Sequence, residues 1–255
     1  MAKTTGSDLL IRALRAEGVD TVFGIAGDHI LHMLDTMFDA PLRMVDFRHE
    51  SGAVHAADSY SRILKKGAVM LSTTPGHANA LPALANAIHS EAPVINIAGS
   101  AESPNLGRGA MQEFDQINAA KPITKGAWEV PSPSRIPEYV ALAFRTALSG
   151  RQGPVHLTIP HDFQMAEVDD AEVARYTPSE YGISSQVLGD PDQVEKAIDL
   201  LSTAQRPMIF AGSSAGATAM PSEVMRLVET MRIPFFSEDS ARALIPDSHE
   251  YSMGL

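Results

Sequence analysis

The sequence predicts an α/β fold in which a doubly wound parallel sheet is followed by an incomplete second Rossmann-like α/β domain. Seven continuous apolar runs of strand length follow one another along the 255 residues. Helix-like stretches separate the runs. Strands that are buried on both faces and separated by helices are typical of a parallel sheet covered by helices on both sides.

The first part of the chain supplies most of these elements. A helix is predicted over 5–17, because apolar residues recur there at helical spacing after Thr5 or Ser7 as the candidate N-cap. The strands that follow are predicted at 21–27, 43–47, 68–73, 93–99 and 153–160. The helices between them are predicted at 29–39, 50–64, 77–89 and 135–149.

The alternation is lost after residue 165 and resumes near 191, which predicts two domains. We assign residues 1–165 to the first domain, 166–190 to a linker and 191–255 to the start of the second. The second part has predicted helices at 191–203 and 220–232 and strands at 207–212 and 233–238. So few elements bury too little surface for an independent core, so we expect the natural protein to continue beyond Leu255.

Composition excludes several classes of protein. There is no cysteine, which excludes disulfides, thiolate catalysis and cysteine-ligated zinc. The net charge of −11 argues against a nucleic-acid partner, whose phosphates would be repelled. No apolar stretch approaches the roughly 20 residues of a membrane span, and the first residues do not resemble a secretory signal. We expect a soluble, cytoplasmic protein with a small-molecule or protein partner.

Four loops are predicted to open on one side of the sheet. In a parallel sheet the functional crevice lies beyond the carboxyl ends of the strands, so loops that follow strands converge there. These loops are GIAGDH (24–29), RHE (48–50), TTPGHAN (73–79) and GSAES (99–103). Their convergence predicts a site more strongly than any one motif does.

Glu50 ends the short loop after the second strand and precedes a run of small residues that includes Gly52 and Ala53. An acid in the first turn of a helix can serve only to complement the helix dipole. Alternatively, the small residues let the helix pack close to the sheet and keep the carboxylate sunken, which would raise its pKa. The residues alone leave both interpretations open.

The other polar residues of the crevice also have two interpretations. Pro75 and Gly76 fix a strand-to-helix turn, which is either an ordinary turn or a place where the backbone approaches a flat or anionic ligand. His29 and His77 could shuttle protons, although a surface histidine is the simpler interpretation, which we favour slightly for His77. The spacing of His49 and His55 is wrong for zinc on one helix face, so no metal site is predicted.

A serine hydrolase is a further alternative. The run GSSAG (212–216) matches G-x-S-x-G and would make Ser214 a nucleophile, with Asp239 or Asp247 and then His249 following in order. A glycine-rich strand-to-helix turn is the simpler interpretation, because such matches recur by chance.

Five segments in register resemble the thiamine diphosphate enzymes of the acetolactate synthase, benzaldehyde lyase and 2-hydroxyacyl-CoA lyase type. They are GVDTVFGIAGDHIL, RHESGAVHAADSYSR, STTPGHANALPALANAIHSEAPVINIAGS, GAMQEFDQINAAKPITKGAWEV and GPVHLTIPHDFQ. The stretch from residue 204 onward is similar to the start of that family's central domain. The first domain is therefore expected to bind the cofactor's pyrimidine.

The resemblance implies a role for Glu50. In that family the glutamate bonds a ring nitrogen of the aminopyrimidine and promotes the imino tautomer, which removes the thiazolium C2 proton. Other residues with implied site roles are Pro75, Gly76 and Asn79 near the pyrimidine, Gln112 toward the substrate, and Ile25, Ala26, Gly27 and His29 in the first loop. Catalytic roles are expected for Glu50, Gln112 and His29. Thr74, Ser59 and Ala26 depart from the family pattern, which leaves the substrate subclass open.

The resemblance also implies components that this sequence lacks. The family holds the cofactor diphosphate through Mg²⁺ with a G-D-G motif in a third domain, and no such motif occurs here. FAD or ADP could bind at 212–216. A homodimer or tetramer with the site between subunits is expected, and residues 1–255 alone are expected to be inactive. The alternative is a non-catalytic regulatory paralogue that kept the fold.

Overall fold

The computed structural model describes residues 3–181, 188–218, 220–242 and 244–254. The chain divides into two compact units, residues 1–183 and 184–255. The strands of the first unit are β1 (Lys3–Thr5), β2 (Thr21–Gly24), β3 (Arg43–Asp46), β4 (Ala68–Ser72), β5 (Val94–Ser100), β6 (Ala127–Glu129), β7 (Val155–Pro160) and β8 (Glu167–Asp169). Its helices are α1 (Gly6–Ala16), α2 (Leu31–Phe38), α3 (Glu50–Leu64), α4 (Thr74–His89), α5 (Gln116–Ala120), α6 (Ile136–Leu148), α7 (His161–Met165) and α8 (Pro178–Tyr181).

The main sheet has six parallel strands in the order β3-β2-β4-β5-β7-β6. Helices cover both faces of the sheet. One face, with Val69, Ile95 and Leu157, packs with α1, α2 and α6, and the other face, with Met70 and Val94, packs with α3 and α4. The predicted doubly wound parallel sheet is confirmed.

Local sequence sets where the helices begin. Thr5 caps α1 through a reciprocal capping box with Asp8, which settles the choice between the two candidate caps. The predicted bounds of α3 are confirmed. Helix α4 begins at Thr74 rather than at residue 77, because Pro75 in its first turn has a backbone angle suited to a helix start.

Three short strands were not predicted from the sequence. β6 adds an edge to the main sheet, and β1 pairs antiparallel with β8, which lies within the segment assigned to the linker. Each has only three residues, so none of them could show a hydrophobic period.

The second unit contains two parallel strands and three helices within its described residues. They are β9 (Ile209–Ala211), β10 (Phe235–Ser237), α9 (Pro191–Thr203), α10 (Ser213–Thr218) and α11 (Pro221–Met231). Its core is small and includes Val228, Phe235 and Ile245. Within the described ranges of the whole chain, no helix combines the length and apolar character that a membrane span requires.

Candidate active site

The strand order reverses between β2 and β4, and the loops after these two strands meet. The connection after β2 leads to β3 on one side, whereas the connection after β4 leads to β5 on the other, so the two connections diverge. Such a switch point is where open α/β sheets bind ligands. A Cβ at Gly27, after β2, would stand 2.5 Å from Cγ2 of Thr73, after β4, so glycine allows the loops to touch.

Glu50 lies at the start of α3 and faces the start of α4. Asn79 Nδ2 donates a 3.0 Å hydrogen bond to Glu50 Oε2. A Cβ at Gly76 would stand only 2.8 Å from Glu50 Oε1, so the absence of a side chain at Gly76 leaves room for the carboxylate. The structure thus brings together Glu50, Gly76 and Asn79, three of the residues named from the sequence.

The packing of α3 against α4 explains this arrangement. His49 caps α3, where its Nδ1 accepts from the backbone N–H of Ser51 at 3.2 Å. The hydroxyl of Ser51 donates to the backbone carbonyl of Asn79 at 2.6 Å and ties the two helix starts together. Ala53 and Ala57 are fully buried, so α3 packs closely in the core that it shares with α4.

The side chain of Glu50 is half-buried, which lies between the exposed helix-start acid and the fully sunken carboxylate that the sequence left open. Glu50 is the first residue of α3, and the buried face of that helix begins only at Ala53. Asn79 and Pro75 are exposed, as is Ala26 in the first loop. The carboxylate is therefore held at one oxygen while its surroundings stay open.

His29 is the buried histidine of the first loop. It is 4% exposed, and its Nδ1 lies 3.2 Å from the hydroxyl of Thr74. Its backbone carbonyl accepts from Gln164 Nε2 at 2.7 Å. Burial lowers the pKa of the His29 imidazole, which favours the neutral ring. His29 therefore contacts the first turn of α4, on which Gly76 also lies.

Gln112 lies apart from these contacts, on an exposed loop before α5. Its backbone is left-handed, with φ of 59°. Glu113 organises the loop, since its carboxylate accepts from the backbone N–H groups of Gly107, Gly109 and Ala110. Among the described residues, the hydrogen bonds that join Glu50, Ser51 and Asn79 do not include Gln112.

A crevice with a volume of ≈ 580 Å³ adjoins this loop at the carboxyl ends of β5, β6 and β7. Ser100, Glu113, Gln116, Glu129 and Thr158 are among its lining residues. Glu113, the residue after Gln112, lines the crevice.

His77 is fully buried, so the surface interpretation favoured from the sequence is wrong. Because α4 begins at Thr74, His77 lies on the face that packs on the sheet. There it stacks on His156 with ring centroids 3.9 Å apart, and its Nδ1 lies 2.8 Å from Asn96 Nδ2.

Sequence reasoning missed the other members of this buried group, which are Asn96, Gln116, His156 and Thr158. A signal was present in the strands. Polar residues alternate with apolar ones in INI (95–97) and in VHLTI (155–159), which places the polar side chains on one face.

The zinc and hydrolase alternatives receive no support from the geometry. The described part of the chain holds no group of three or more histidine or acidic side chains placed to bind a metal ion. Ser214 is exposed, and His249 contacts Glu229 through Nε2 and the backbone N–H of Tyr251 through Nδ1. Asp247 pairs with Arg242, and the acid that contacts His249 is Glu229 rather than Asp239 or Asp247.

Comparison with curated proteins finds acetolactate synthases and a related decarboxylase. A probable acetolactate synthase large subunit of Methanocaldococcus jannaschii is 34% identical over 98% of this chain and 43% of its own length. An acetolactate synthase of Arthrospira platensis is 34% identical over 99% of this chain and 45% of its own. Oxalyl-CoA decarboxylase of Escherichia coli is 32% identical over 98% of this chain and 45% of its own length. The chain spans less than half the length of these relatives.

Two family models match the chain in succession. The model of the thiamine pyrophosphate enzyme N-terminal TPP binding domain matches residues 4–119, and that of the thiamine pyrophosphate enzyme central domain matches residues 194–255. Together they cover well over half of the sequence, in the order of the two units. The chain belongs to the thiamine pyrophosphate enzymes.

Proposed function

We propose that this chain supplies the pyrimidine-binding half of a thiamine diphosphate-dependent enzyme. The enzyme forms or cleaves a carbon–carbon bond, as a carboligase, decarboxylase or lyase. Its substrates are 2-oxo acids or 2-hydroxyacyl compounds. The observation that carries the proposal is the carboxylate of Glu50, which is held by Asn79 and lies against Gly76 at the switch point of the sheet. Similarity to acetolactate synthases and to oxalyl-CoA decarboxylase supports the reaction class.

The residues present fit an aminopyrimidine. A carboxylate oxygen can bond a protonated ring nitrogen, and Glu50 offers one beside a turn that has no side chain at Gly76. The first turn of α4 places Pro75 at the surface, where a flat ring can approach. Gly27 keeps the neighbouring loop close enough to close the site on a second side.

The chain's own residues would orient the ring and handle one proton. Glu50 would bond the ring nitrogen and hold or return its proton, while Asn79 fixes the carboxylate plane. His29, neutral and anchored through Thr74, would line the first loop, and Gln112 would face the substrate. Thiamine diphosphate, when bound, supplies the electron sink for a carbanion next to a carbonyl.

The remaining parts of the proposal come from the family resemblance. Mg²⁺ would hold the diphosphate through ligands outside this chain, and FAD or ADP could occupy the turn at 212–216. The half-buried state of Glu50 is consistent with a site completed by a second subunit of a homodimer or tetramer. We place the enzyme in the cytoplasm, with a small molecule as its substrate.

The decisive experiment is Glu50→Gln in the complete enzyme. Glutamine keeps a hydrogen bond but cannot exchange the proton, so turnover is expected to fall by at least about a hundredfold with folding unchanged. Glu138→Gln is the matched control, because Glu138 is also a first-turn acid but belongs to α6. Normal turnover in Glu50→Gln would refute the proposal. An inactive complete wild-type enzyme that still binds its partners would favour the regulatory paralogue instead.

A further inference from the structure

A set of polar side chains is buried between α4 and the sheet. His77, Asn96, Gln116, His156 and Thr158, here called the buried polar cluster, are each between 0% and 2% exposed. They come from α4, α5, β5 and β7. Buried polar groups are costly unless every one is hydrogen-bonded, so the direction of each bond matters.

One backbone carbonyl fixes the first part of the cluster. His77 Nε2 lies 3.2 Å from the backbone oxygen of Gln116. A carbonyl oxygen can only accept, so His77 carries its proton on Nε2. In the neutral ring Nδ1 then accepts, and the group that faces it at 2.8 Å is the side-chain nitrogen of Asn96.

A second backbone carbonyl fixes the other part. Gln116 Nε2 donates to the oxygen of Gly99 at 3.1 Å, so Gln116 Oε1 must accept, and it does so from the hydroxyl of Thr158 at 3.0 Å. That hydroxyl in turn accepts from His156 Nε2 at 2.8 Å. His156 Nδ1 therefore accepts from Asn96 Nδ2 at 3.0 Å.

Both routes give the same orientation of the Asn96 amide, which donates one hydrogen to each histidine. Its oxygen Oδ1 is left buried without a partner. Rotating the amide would give Oδ1 a donor only if at least one ring carried a proton on Nδ1, and it would set the oxygen against the lone pair of any ring that did not. Burial lowers the pKa of His77 to about 4 and that of His156 well below its usual value, so both rings are neutral at neutral pH.

The cluster ends at the first turn of α4. The second hydrogen of Gln116 Nε2 is directed to Thr74 Oγ1 at 3.0 Å. Thr74 donates to Gly99 O at 3.2 Å and also contacts His29. Thr74 begins the turn that contains Gly76, so Gln116 links the buried polar cluster to the surface on which the Glu50 carboxylate lies.

We propose that Gln116 is a positioning residue for the Glu50 site: its side-chain amide, oriented from both ends of the buried polar cluster, holds Thr74 and the first turn of α4 in place. The role in catalysis rests on the proposed function, whereas the positioning of the turn does not. Thr158 acts through Gln116, because its hydroxyl is the donor that fixes the amide.

The direction of the hydrogen bonds can be measured on this chain by two-bond ¹H–¹⁵N correlation of the histidine rings. We expect His77 and His156 to be neutral with the proton on Nε2. In Asn96→Asp a carboxylate replaces the donor, and at least one of these rings should gain a proton. A proton on Nδ1 of either ring in the wild-type chain would overturn the proposal.

Positioning is tested with Thr158→Val, which removes the hydroxyl and keeps the shape. In this chain we expect shifted amide resonances of Gly76 and His77, which Thr158→Ser restores. In the complete enzyme we expect kcat to fall about tenfold with KM unchanged, again restored by serine. Thr124→Val is the control, since its hydroxyl bonds only the carbonyl of Ala120 among the described residues and should change neither readout.

Unchanged resonances and kcat in Thr158→Val, or equal damage from Thr158→Ser and Thr124→Val, would refute the positioning role. The outcome is independent of the proposed function, because the resonances of Gly76 are measured without turnover. If Glu50→Gln were fully active while Thr158→Val still shifted those resonances, the proposed function would fail and the positioning of the turn would stand.

Discussion

Gly76 lies so close to Glu50 that a Cβ at position 76 would stand 2.8 Å from Oε1 and 3.1 Å from Cγ of the glutamate. Backbone and carboxylate are therefore in contact without a side chain between them. Distances below about 3.0 Å to a Cβ are not tolerated, so one partner has to move when a methyl group is added.

Gly76→Ala is expected to displace the carboxylate and lower the turnover of the complete enzyme by about tenfold or more. The control is Gly52→Ala in α3, where the added Cβ would meet Phe47 at an ordinary 3.4 Å. That change should leave turnover intact and raise stability by up to about 1 kcal/mol, because alanine favours a helix. Steady-state kinetics and urea unfolding give both values, and an active Gly76→Ala enzyme would contradict the contact.

Asn79→Ala removes the hydrogen bond to Glu50 Oε2. Asn79 is exposed, so the free energy of unfolding should change by less than about 0.5 kcal/mol. Turnover should fall several-fold, because the carboxylate is no longer held in one plane. The backbone contact from Ser51 is retained. Asn86→Ala, an exposed asparagine of the same helix, should alter neither quantity; equal kinetics for the two variants would show that Asn79 has no special role.

Stability should fall as the pH drops from about 6.5 to about 4, because burial lowers the pKa of His77 to about 4. Between these pH values His77 is protonated in the unfolded chain but not in the folded chain. The contribution of His77 to the free energy of unfolding is therefore complete above the unfolded pKa and is lost as the pH falls toward the folded pKa. At about pH 4, His77 alone lowers the free energy of unfolding by about 3 kcal/mol.

The groups that contact the two rings include the uncharged side chains of Asn96 and Thr158, the backbone carbonyl of Gln116 and the ring of Phe114. His77 is the titratable group that acts on His156, and its charge lowers the pKa of His156 further. Urea unfolding at several pH values measures the slope. A free energy of unfolding that stays constant from neutral pH to about 4.5 would contradict the buried neutral pair.

Glu113→Gln should loosen the loop that carries Gln112. The backbone N–H groups of Gly107 and its neighbours hold the pKa of Glu113 below its usual value. These hydrogen bonds to the carboxylate are therefore complete above the ordinary carboxyl pKa, and they are lost as the pH falls through the lowered pKa of Glu113. Hydrogen exchange at Gly107, Gly109 and Ala110 should accelerate in the variant. Glu102→Gln, whose side chain bonds Asn105, should not accelerate it. Equal rates of amide hydrogen exchange in the two variants would show that Glu113 does not organise the loop.

The sheet and the position of Glu50 were predictable because both follow from local pattern. Apolar runs mark strands, and small residues after Glu50 mark a helix that packs closely. The burial of His77 was not predictable from such patterns, since it depends on a helix that starts three residues earlier and on partners from α5, β5 and β7. β8 was equally hidden, because its partner β1 lies at the opposite end of the first unit's sequence.

The single orientation of the amide at Asn96 restricts how this protein can diverge. Replacing any one member of the buried polar cluster with an aliphatic residue strands a donor or acceptor on its neighbour, whereas replacing all of them together need not. Mutational effects within the set should thus be strongly non-additive. Changing this interior to an all-hydrocarbon one by single replacements would pass through less stable intermediates.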